Sequence, residues 1–313
     1  MAAKTWTSTA NSGVDELLFH NAAVSLCLLV NRRHSTLRII DFRAGPTVAK
    51  RSFVVAAAKR EGVEKVFTLV ERDEVSTWTR LGFTREGSIP SFYKRSDAWI
   101  LGAVVNQIGP VRAARGSREE EDDDEDDAES EERASSPAAA LAERTIARAR
   151  RLLKATDDTA FPAVKLAPAS EADARRALAT AQRTGRALTG FEPFSRDVER
   201  RAFALTTRGG YSTLASVETQ ACFGNSFFEL LTAPRTEPER LAATSAVRAL
   251  EARLKDEGAV STFTLAAADD VTQTAVFLGA GFRRSGVLAR HVMLKGERKD
   301  AIVWSKKLAG AGD

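Results

Sequence analysis

Residues 43–51 combine the residue types that bind anions at the start of a helix. The segment holds one glycine, one proline and three cations, and it lies between a predicted strand and a predicted helix. A helix N-terminus presents unpaired N–H groups and the positive end of the helix dipole, and both attract anions. Glycine lets an anion approach closely, and proline suits a first helical turn. The segment fits an anion site, and it also fits an ordinary Gly-Pro turn with solvated charges.

The histidines and cysteines do not indicate metal chemistry. His20, His34 and His291 do not cluster, and there is no CxxC motif, so no metal site is expected. Cys27 and Cys222 lie far apart in apolar, strand-like runs. Both are predicted to be buried reduced thiols, which favours a reducing, cytoplasmic location. The sequence shows no apolar signal core and no run of membrane-spanning length, so no membrane association is expected.

The charges are unevenly distributed along the chain. Twelve of the 42 acidic residues lie between Glu119 and Glu132, which leaves 30 acids against 46 lysines and arginines elsewhere. The basic remainder favours an anionic partner: a phosphorylated cofactor, an acidic protein or nucleic acid. Nucleic acid is the least favoured, because there is no basic stripe interleaved with aromatics and no helix-turn-helix pattern. The acidic run has almost no apolar residues and is predicted to be a disordered linker.

An internal repeat organises the rest of the sequence. Lys-Arg-Glu-Gly at 59–62 recurs as Lys-Asp-Glu-Gly at 255–258, and Phe-Thr-Leu at 67–69 recurs at 263–265. Further along, Gly-Phe-Thr-Arg-Glu-Gly at 82–87 matches Gly-Phe-Arg-Arg-Ser-Gly at 281–286. Blocks that agree in order, in only two copies, indicate a duplicated domain.

Each copy has the pattern of strand hairpin, helix, buried strand, short helix and two closing strands. The first helix is predicted to bury Ala49, Phe53, Ala56 and Ala57 in copy one, and Ala243, Val247, Leu250 and Leu254 in copy two. Copy two adds a strand at 164–168, a helix starting at Ser170 and more helix at 196–205, which the truncated copy one lacks. We therefore predict an α/β fold, an α+β mixed sheet flanked by helices. The predicted domains are 14–112 and 161–310, and 113–160 forms the linker with a helical extension at 138–154.

Residues 81–100 carry a family resemblance. They read Leu-Gly-Phe-Thr-Arg-Glu-Gly-Ser-Ile-Pro-Ser-Phe-Tyr-Lys-Arg-Ser-Asp-Ala-Trp-Ile. This run resembles the end of the β-lysine N-acetyltransferase group, and the order of elements resembles the GNAT superfamily of N-acetyltransferases. The resemblance covers residues 39–103 and 211–308, which makes the chain similar to a tandem GNAT protein. It implies acetyl-CoA as a substrate and a primary amine as acceptor, either a small lysine-like metabolite or a protein amine.

The resemblance also assigns roles to residues. The family holds the CoA pyrophosphate at the first helix, which implies a cofactor site formed by Arg43, Gly45, Thr47, Val48, Ala49 and Lys50. The matching stretch of copy two, 232–240, has no glycine and carries Glu237 and Glu239, so it fits a structural helix start better.

The family tyrosine that protonates the thiolate is replaced in both copies. Trp78 and Phe277 stand in its place and cannot donate a proton. Tyr93 in the closing strands is a substitute acid, and Glu71 after the buried strand a substitute base. Packing and solvation explain these two residues as well. His291 is a further candidate base, or a structural strand residue.

Two functions follow. The chain is an acetyl-CoA-dependent N-acetyltransferase, or it is a catalytically degenerate protein of this fold that binds a ligand or serves as a scaffold. The two copies could pair within one chain, or the chain could form a homodimer.

Overall fold

The fold is described from a computed structural model. It describes residues 4–7, 13–22, 24–43, 45, 47–108, 136–156, 161–196, 198–208 and 210–309. The acidic linker, which the sequence predicts to be disordered, lies almost wholly outside these ranges.

Fourteen strands and six helices make up the described chain. The strands are β1 (Lys4–Thr7), β2 (Val14–His20), β3 (Ser25–Asn31), β4 (Thr36–Asp41), β5 (Lys65–Val70), β6 (Thr84–Ile89), β7 (Ala98–Val104), β8 (Val164–Ala169), β9 (Glu199–Thr207), β10 (Ser212–Gln220), β11 (Asn225–Leu230), β12 (Ser261–Ala267), β13 (Arg283–Leu294) and β14 (Glu297–Lys307). The helices are α1 (Val48–Arg60), α2 (Val75–Arg80), α3 (Pro137–Lys154), α4 (Glu171–Arg183), α5 (Glu237–Asp256) and α6 (Val271–Gly279).

All described strands join one mixed sheet. Its order is β1-β2-β3-β4-β5-β7-β6-β13-β14-β12-β11-β10-β9-β8. Only β4 with β5 and β11 with β12 pair in parallel among the described strands. The first half of the chain therefore forms one side of the sheet and the second half the other, and they meet where β6 pairs with β13. The expected mixed sheet flanked by helices is confirmed.

The sequence repeat corresponds to a repeat of elements. In both halves an antiparallel hairpin leads into a long helix, a parallel strand, a short helix and a closing antiparallel pair. Gly62 and Gly258 follow the two long helices with φ of +67° and +89°. Both lie in the left-handed region that glycine adopts without strain at a helix end.

In each half helices pack against one face of the sheet, and in the second half α4 packs on the opposite face, against Ala202 and Leu214. Helices α1 and α2 pack in a core with Val54 and Trp78, and helices α3, α5 and α6 pack in a core with Ile146, Val247 and Phe277. The predicted helix at 138–154 is thus confirmed as α3, and it docks on the second half. Because side chains alternate across a strand, Phe67 and Phe227 face the other side of the sheet, where a third, aromatic core lies between the halves.

Each half reaches across to the other through its closing hairpin. The Asn225 amide donates to the Phe92 carbonyl at 2.9 Å, and Arg298 Nη2 donates to the Ser35 carbonyl at 2.7 Å. The first contact joins the β6–β7 loop to the start of β11, and the second joins β14 to the start of β4. The halves are therefore held together by reciprocal contacts as well as by the sheet.

Several sequence-based predictions were wrong. Residues 196–205 are not helical, because β9 is held between β8 and β10 and cross-strand pairing decides its conformation. Helix α1 buries Lys50, Val54, Ala57 and Ala58, a face shifted by one residue from the predicted one. Cys27 is buried as expected, but Cys222 is exposed in the turn before β11. Within the described ranges, no helix has the length and apolar character needed to cross a membrane.

Candidate functional site

The loop before α1 is organised around a buried lysine. Lys50 donates from Nζ to the carboxylate of Asp41 and to the carbonyls of Arg43 and Gly45, the latter two at 2.7 and 3.0 Å. The side chains of Lys50 and Asp41 are only 1% and 3% exposed. The ammonium therefore lies inside the loop, where it turns two loop carbonyls inward, and does not point to the outside.

The first turn of α1 keeps the features of an anion site. Thr47 caps the helix by accepting from the N–H of Lys50, and the first turn holds no acidic residue. Gly45 has φ +108°, and a Cβ there would meet nothing within 4 Å. The first N–H groups of a helix, here those of Val48 and Ala49, lack intrahelical partners and face its N-terminal end. Arg43 donates to the Ala22 carbonyl. The backbone N–H groups of this turn are therefore better placed to bind a pyrophosphate than the side chains of Arg43 and Lys50, which bond to groups of the protein itself.

The two predicted catalytic residues lie together at the end of β5. Tyr93 Oη donates to the carbonyl of Leu69 at 3.3 Å, and Ser96 Oγ donates to Glu71 Oε1 at 3.2 Å. Burial raises the pKa of Tyr93 to about 12; the charge of Arg38 opposes this shift, and the charges of Glu71 and Glu74 contribute to it. Burial also raises the pKa of Glu74, which faces Asp41 and Asp73. The end of β5 therefore offers one phenol and a group of carboxylates.

The residues that replace the expected tyrosine are packing residues. Trp78 is fully buried and meets the ring of Phe83 edge to face at 5.0 Å. Phe277 is 1% exposed and packs among Phe228, Phe282 and Trp304. Neither position can protonate a leaving group.

The start of α5 does not fit a pyrophosphate. Glu237 and Glu239 lie in its first turn, and Pro238 removes one N–H donor. Glu239 accepts from the Arg235 backbone at 2.7 Å and from Arg186 Nη2 at 2.6 Å. Carboxylates occupy the helix end that an anion would need.

A cavity that the sequence did not reveal lies between the two halves, on the aromatic face of the sheet. Of the candidate site residues taken from the sequence, His291 lines it and the others do not. The first half contributes Asn31, His34, Arg38 and Phe67, and the second contributes Glu192, Phe194, Phe227, Glu229 and His291. Ala266, Ala267 and Gln273 lie at its floor, where β12 ends and α6 begins.

Glu229 is a buried carboxyl that lines this cavity. It lies on β11 beyond Phe227, the last residue at which β11 pairs with β12. Burial, with smaller contributions from the charges of Glu218 and Glu192, raises its pKa to about 7 against the opposing hydrogen bond from Thr189 and the charge of Arg200. Ser216 Oγ lies 3.5 Å from Glu229 Oε2. In the sequence, Glu229 stands out only as a single carboxyl inside the apolar run Phe-Phe-Glu-Leu-Leu at 227–231. Its position in a cavity between the two halves follows from the fold alone.

Two neutral imidazoles border the same cavity. His34 Nδ1 accepts the Met293 N–H at 3.0 Å, which leaves the proton of the neutral ring on Nε2, 3.9 Å from Glu192 Oε2. Burial and the charges of Arg33 and Arg298 lower the pKa of His34 to about 4. Burial likewise lowers the pKa of His291 well below its ordinary value. Both rings are uncharged near neutral pH.

Metal binding finds no support in the described part of the chain. Among those residues, no three His, Cys, Asp or Glu side chains come together in a way that could hold an ion.

Comparison with known proteins gives similarity in structure but not in sequence. No protein-family model matches the chain, and no curated protein matches it. Among solved structures, the ribosomal-protein-S18-alanine N-acetyltransferase of Escherichia coli is 17% identical with a TM-score of 0.38, covering 48% of this chain and 97% of its own. Spermidine N-acetyltransferase of Vibrio cholerae, in complex with CoA and spermine, is 13% identical with a TM-score of 0.39, covering 48% of this chain and 98% of its own.

Proposed function

We propose that this chain is an acetyl-CoA-dependent N-acetyltransferase of tandem GNAT type, and that its first half carries the reaction. The observation that carries the proposal is the start of α1. Its first turn is free of acids, and Lys50 holds the loop carbonyls inward. The corresponding start of α5 carries two glutamates instead. The acceptor is a primary amine, either a small lysine-like metabolite or a protein amine.

The residues of the first half have distinct tasks in this proposal. Bound acetyl-CoA supplies the acetyl group and a thiolate leaving group. The N–H groups of Val48 and Ala49, with Gly45 and Thr47 beside them, bind its pyrophosphate, while Lys50 and Arg43 stabilise the loop. Glu71 takes a proton from the acceptor ammonium so that the amine can attack. Tyr93, whose Oη lies 3.3 Å from the Leu69 carbonyl oxygen, holds the proton that the leaving thiolate sulfur needs.

The chain's only other tyrosine provides a matched control. The full-length protein is incubated with acetyl-CoA and simple primary amines, including lysine, while free thiol is followed with a colorimetric reagent and products by mass spectrometry. Tyr93→Phe should lower kcat by about tenfold or more, the usual size of a general-acid effect. Tyr211→Phe, in the second half, should not change kcat. Equal rates for both variants would remove Tyr93 from the mechanism.

A binding protein without turnover is the second candidate. Trp78 and Phe277 occupy the positions where an acid is expected, and both are buried packing residues. If calorimetry detects acetyl-CoA binding but no amine yields an acetylated product, this second candidate replaces the first.

A further inference from the structure

We propose that the outward face of helix α3 is a docking surface for the acidic segment of the same chain, residues 119–132. The proposal goes beyond the proposed function and does not rest on it, because α3 packs on the second half and holds none of the residues assigned to acetyl transfer. Five exposed cations define the surface, called here the basic face of α3: Arg144, Arg148, Arg150, Arg151 and Lys154.

The basic face lies opposite the side of α3 that packs on the protein. The buried residues of the helix are Ala142, Thr145, Ile146 and Ala149. Arg144, Arg148 and Arg151 follow each other at helical spacing and form one row, and Arg150 and Lys154 form a second row beside it. Together the five occupy an arc of about 160° directed away from the buried side, and they extend over about 15 Å of the helix axis. The face is therefore a continuous patch of positive charge.

Within the described ranges, the protein does not balance these charges. Glu143 is the one acid in α3, and it pairs with Arg284 on β13 at 2.8 Å. Among the described residues, no carboxylate forms an ion pair with any of the five cations. On helix α4, by contrast, Arg175 and Arg176 each pair with an acid one turn earlier. The basic face thus differs from an ordinary solvated helix surface, on which both signs of charge alternate.

Helix stability accounts for only part of the basic face. Arg151 and Lys154 lie in the last turn, where a cation interacts favourably with the negative end of the helix dipole. Arg144 and Arg148 lie before that turn, where the effect has fallen off. Four of the five cations are arginines, whose guanidinium groups pair with carboxylates through two hydrogen bonds at once. The face is therefore suited to a row of carboxylates.

The acidic segment is a partner of matching charge on the same chain. It holds twelve acids between Glu119 and Glu132, and only three residues separate it from Ser136, whose side chain caps α3. A chain of that length reaches up to about 45 Å, and Lys154 lies about 27 Å from Ser136 along the helix axis. The segment can therefore turn back at the cap and meet every cation of the basic face.

The short connection makes weak contacts sufficient for docking. An exposed ion pair contributes little by itself, and salt screens it over about 10 Å at 0.1 M. A segment tethered by a few residues, however, has an effective concentration in the millimolar range at its site. We therefore expect the segment to occupy the basic face at low salt, to leave it as salt rises, and to exclude other polyanions while it is bound.

A peptide-binding experiment on the full-length protein tests the docking. The probe is a fluorescein-labelled peptide with the sequence of residues 119–132, followed by fluorescence anisotropy at about 20 mM and about 500 mM NaCl. In the neutralised variant, each Glu of the segment is changed to Gln and each Asp to Asn, which removes the acids and keeps the length. At low salt the peptide should bind this variant about tenfold more tightly than the wild type, because no tethered segment competes. At high salt the difference should vanish.

Variants of two helices separate the basic face from a general effect of charge. In the neutralised variant, peptide affinity should fall by about tenfold or more when three cations of α3 are removed; the changes are Arg144→Gln, Arg148→Gln and Arg151→Gln. The matched control removes three exposed cations of α4 and should keep the affinity; the changes are Arg175→Gln, Arg176→Gln and Arg183→Gln. Circular dichroism verifies that each variant is folded. Equal peptide affinity of the wild type and the neutralised variant would overturn the proposal, and so would an α3 variant that binds as tightly as the α4 control.

Two further measurements address other occupants of the basic face. Light scattering after gel filtration at low salt should give the same mass for the wild type and the neutralised variant. A dimer that only the wild type forms would assign the segment to a second copy and overturn docking within one chain. A labelled single-stranded oligonucleotide with as many charges as the peptide is titrated in parallel. If the oligonucleotide binds the basic face and the peptide does not, the face belongs to nucleic acid and the proposal fails. Because acetyl-CoA is absent throughout, a failed acetyl transfer leaves these results unaffected.

Discussion

Gly87 on β6 and Gly286 on β13 face each other directly, and each is the other's counterpart in the internal repeat. A Cβ on Gly87 would lie 2.6 Å from the Cα of Gly286, and one on Gly286 would lie 2.7 Å from the Cα of Gly87. Equivalent residues paired across antiparallel strands place a local two-fold axis between the halves. The two glycines therefore allow the halves to join into one sheet.

Gly87→Ala should separate or strain this junction. The new methyl group meets backbone atoms on both sides, so neither side chain motion nor a rotamer change relieves the contact. We expect a loss of unfolding free energy of about 2–3 kcal/mol, at the upper end of overpacking effects, from urea denaturation. Gly286→Ala should have the same effect, because the two positions are equivalent. Ser88→Ala on the same strand serves as the control and should lose far less.

Lys50→Met should destabilise the protein strongly. The substitution leaves the Asp41 carboxylate, which is 3% exposed, without its cation. Breaking a buried ion pair in this way costs about 3–5 kcal/mol. Urea denaturation measures the loss, and the double variant Lys50→Met with Asp41→Leu should recover most of it. If Lys50→Met alone unfolds at the wild-type urea concentration, the lysine does not organise the loop.

The order of elements could be predicted from the sequence because it depends on local patterns. Hairpins, helix ends at Gly62 and Gly258 and the capping box at Ser170 all rest on short-range chemistry, and the capping box is present. Strand β2 and the strand character of β9 could not be predicted, because their conformations are fixed by neighbouring strands. The shifted face of α1 has the same kind of cause, since Lys50 is buried only because Asp41 on β4 meets it.

The candidate site divides in the same way. The proximity of Glu71 and Tyr93 follows from the order of strands, since both lie where β5 ends and the β6–β7 loop returns. The assigned roles of these two residues, and of the α1 loop, stay predictions. The cavity at Glu229 needs both halves to be assembled, because His34 and Phe67 come from one half and Phe227 and His291 from the other. No spacing within one copy of the repeat contains that information.

The free energy of unfolding should depend on pH through the protonation of Glu229. Its pKa is about 7 in the folded chain, above its ordinary value of 4.5. The folded state therefore binds more protons between these values, so the stabilisation is complete below about pH 4.5 and is lost as pH rises through about 7. The loss is on the order of 3 kcal/mol. Urea denaturation across this range should show a flatter pH dependence for Glu229→Gln than for the wild type, and Glu297→Gln should retain the wild-type slope.

Val48→Glu tests the start of α1 without disturbing the fold. Val48 is 60% exposed at the first helical position, so a carboxylate there touches no core and interacts favourably with the helix dipole. Thermal stability should stay the same or rise slightly. The affinity for acetyl-CoA, measured by calorimetry, should fall by about tenfold or more, because the new charge repels the pyrophosphate at the N–H groups that bind it. Val48→Gln, which has a similar size and no charge, should keep the affinity. Glu237→Gln at the start of α5 should also leave it unchanged. An acetyl-CoA affinity that survives Val48→Glu but changes with Glu237→Gln would move the nucleotide site to the second half.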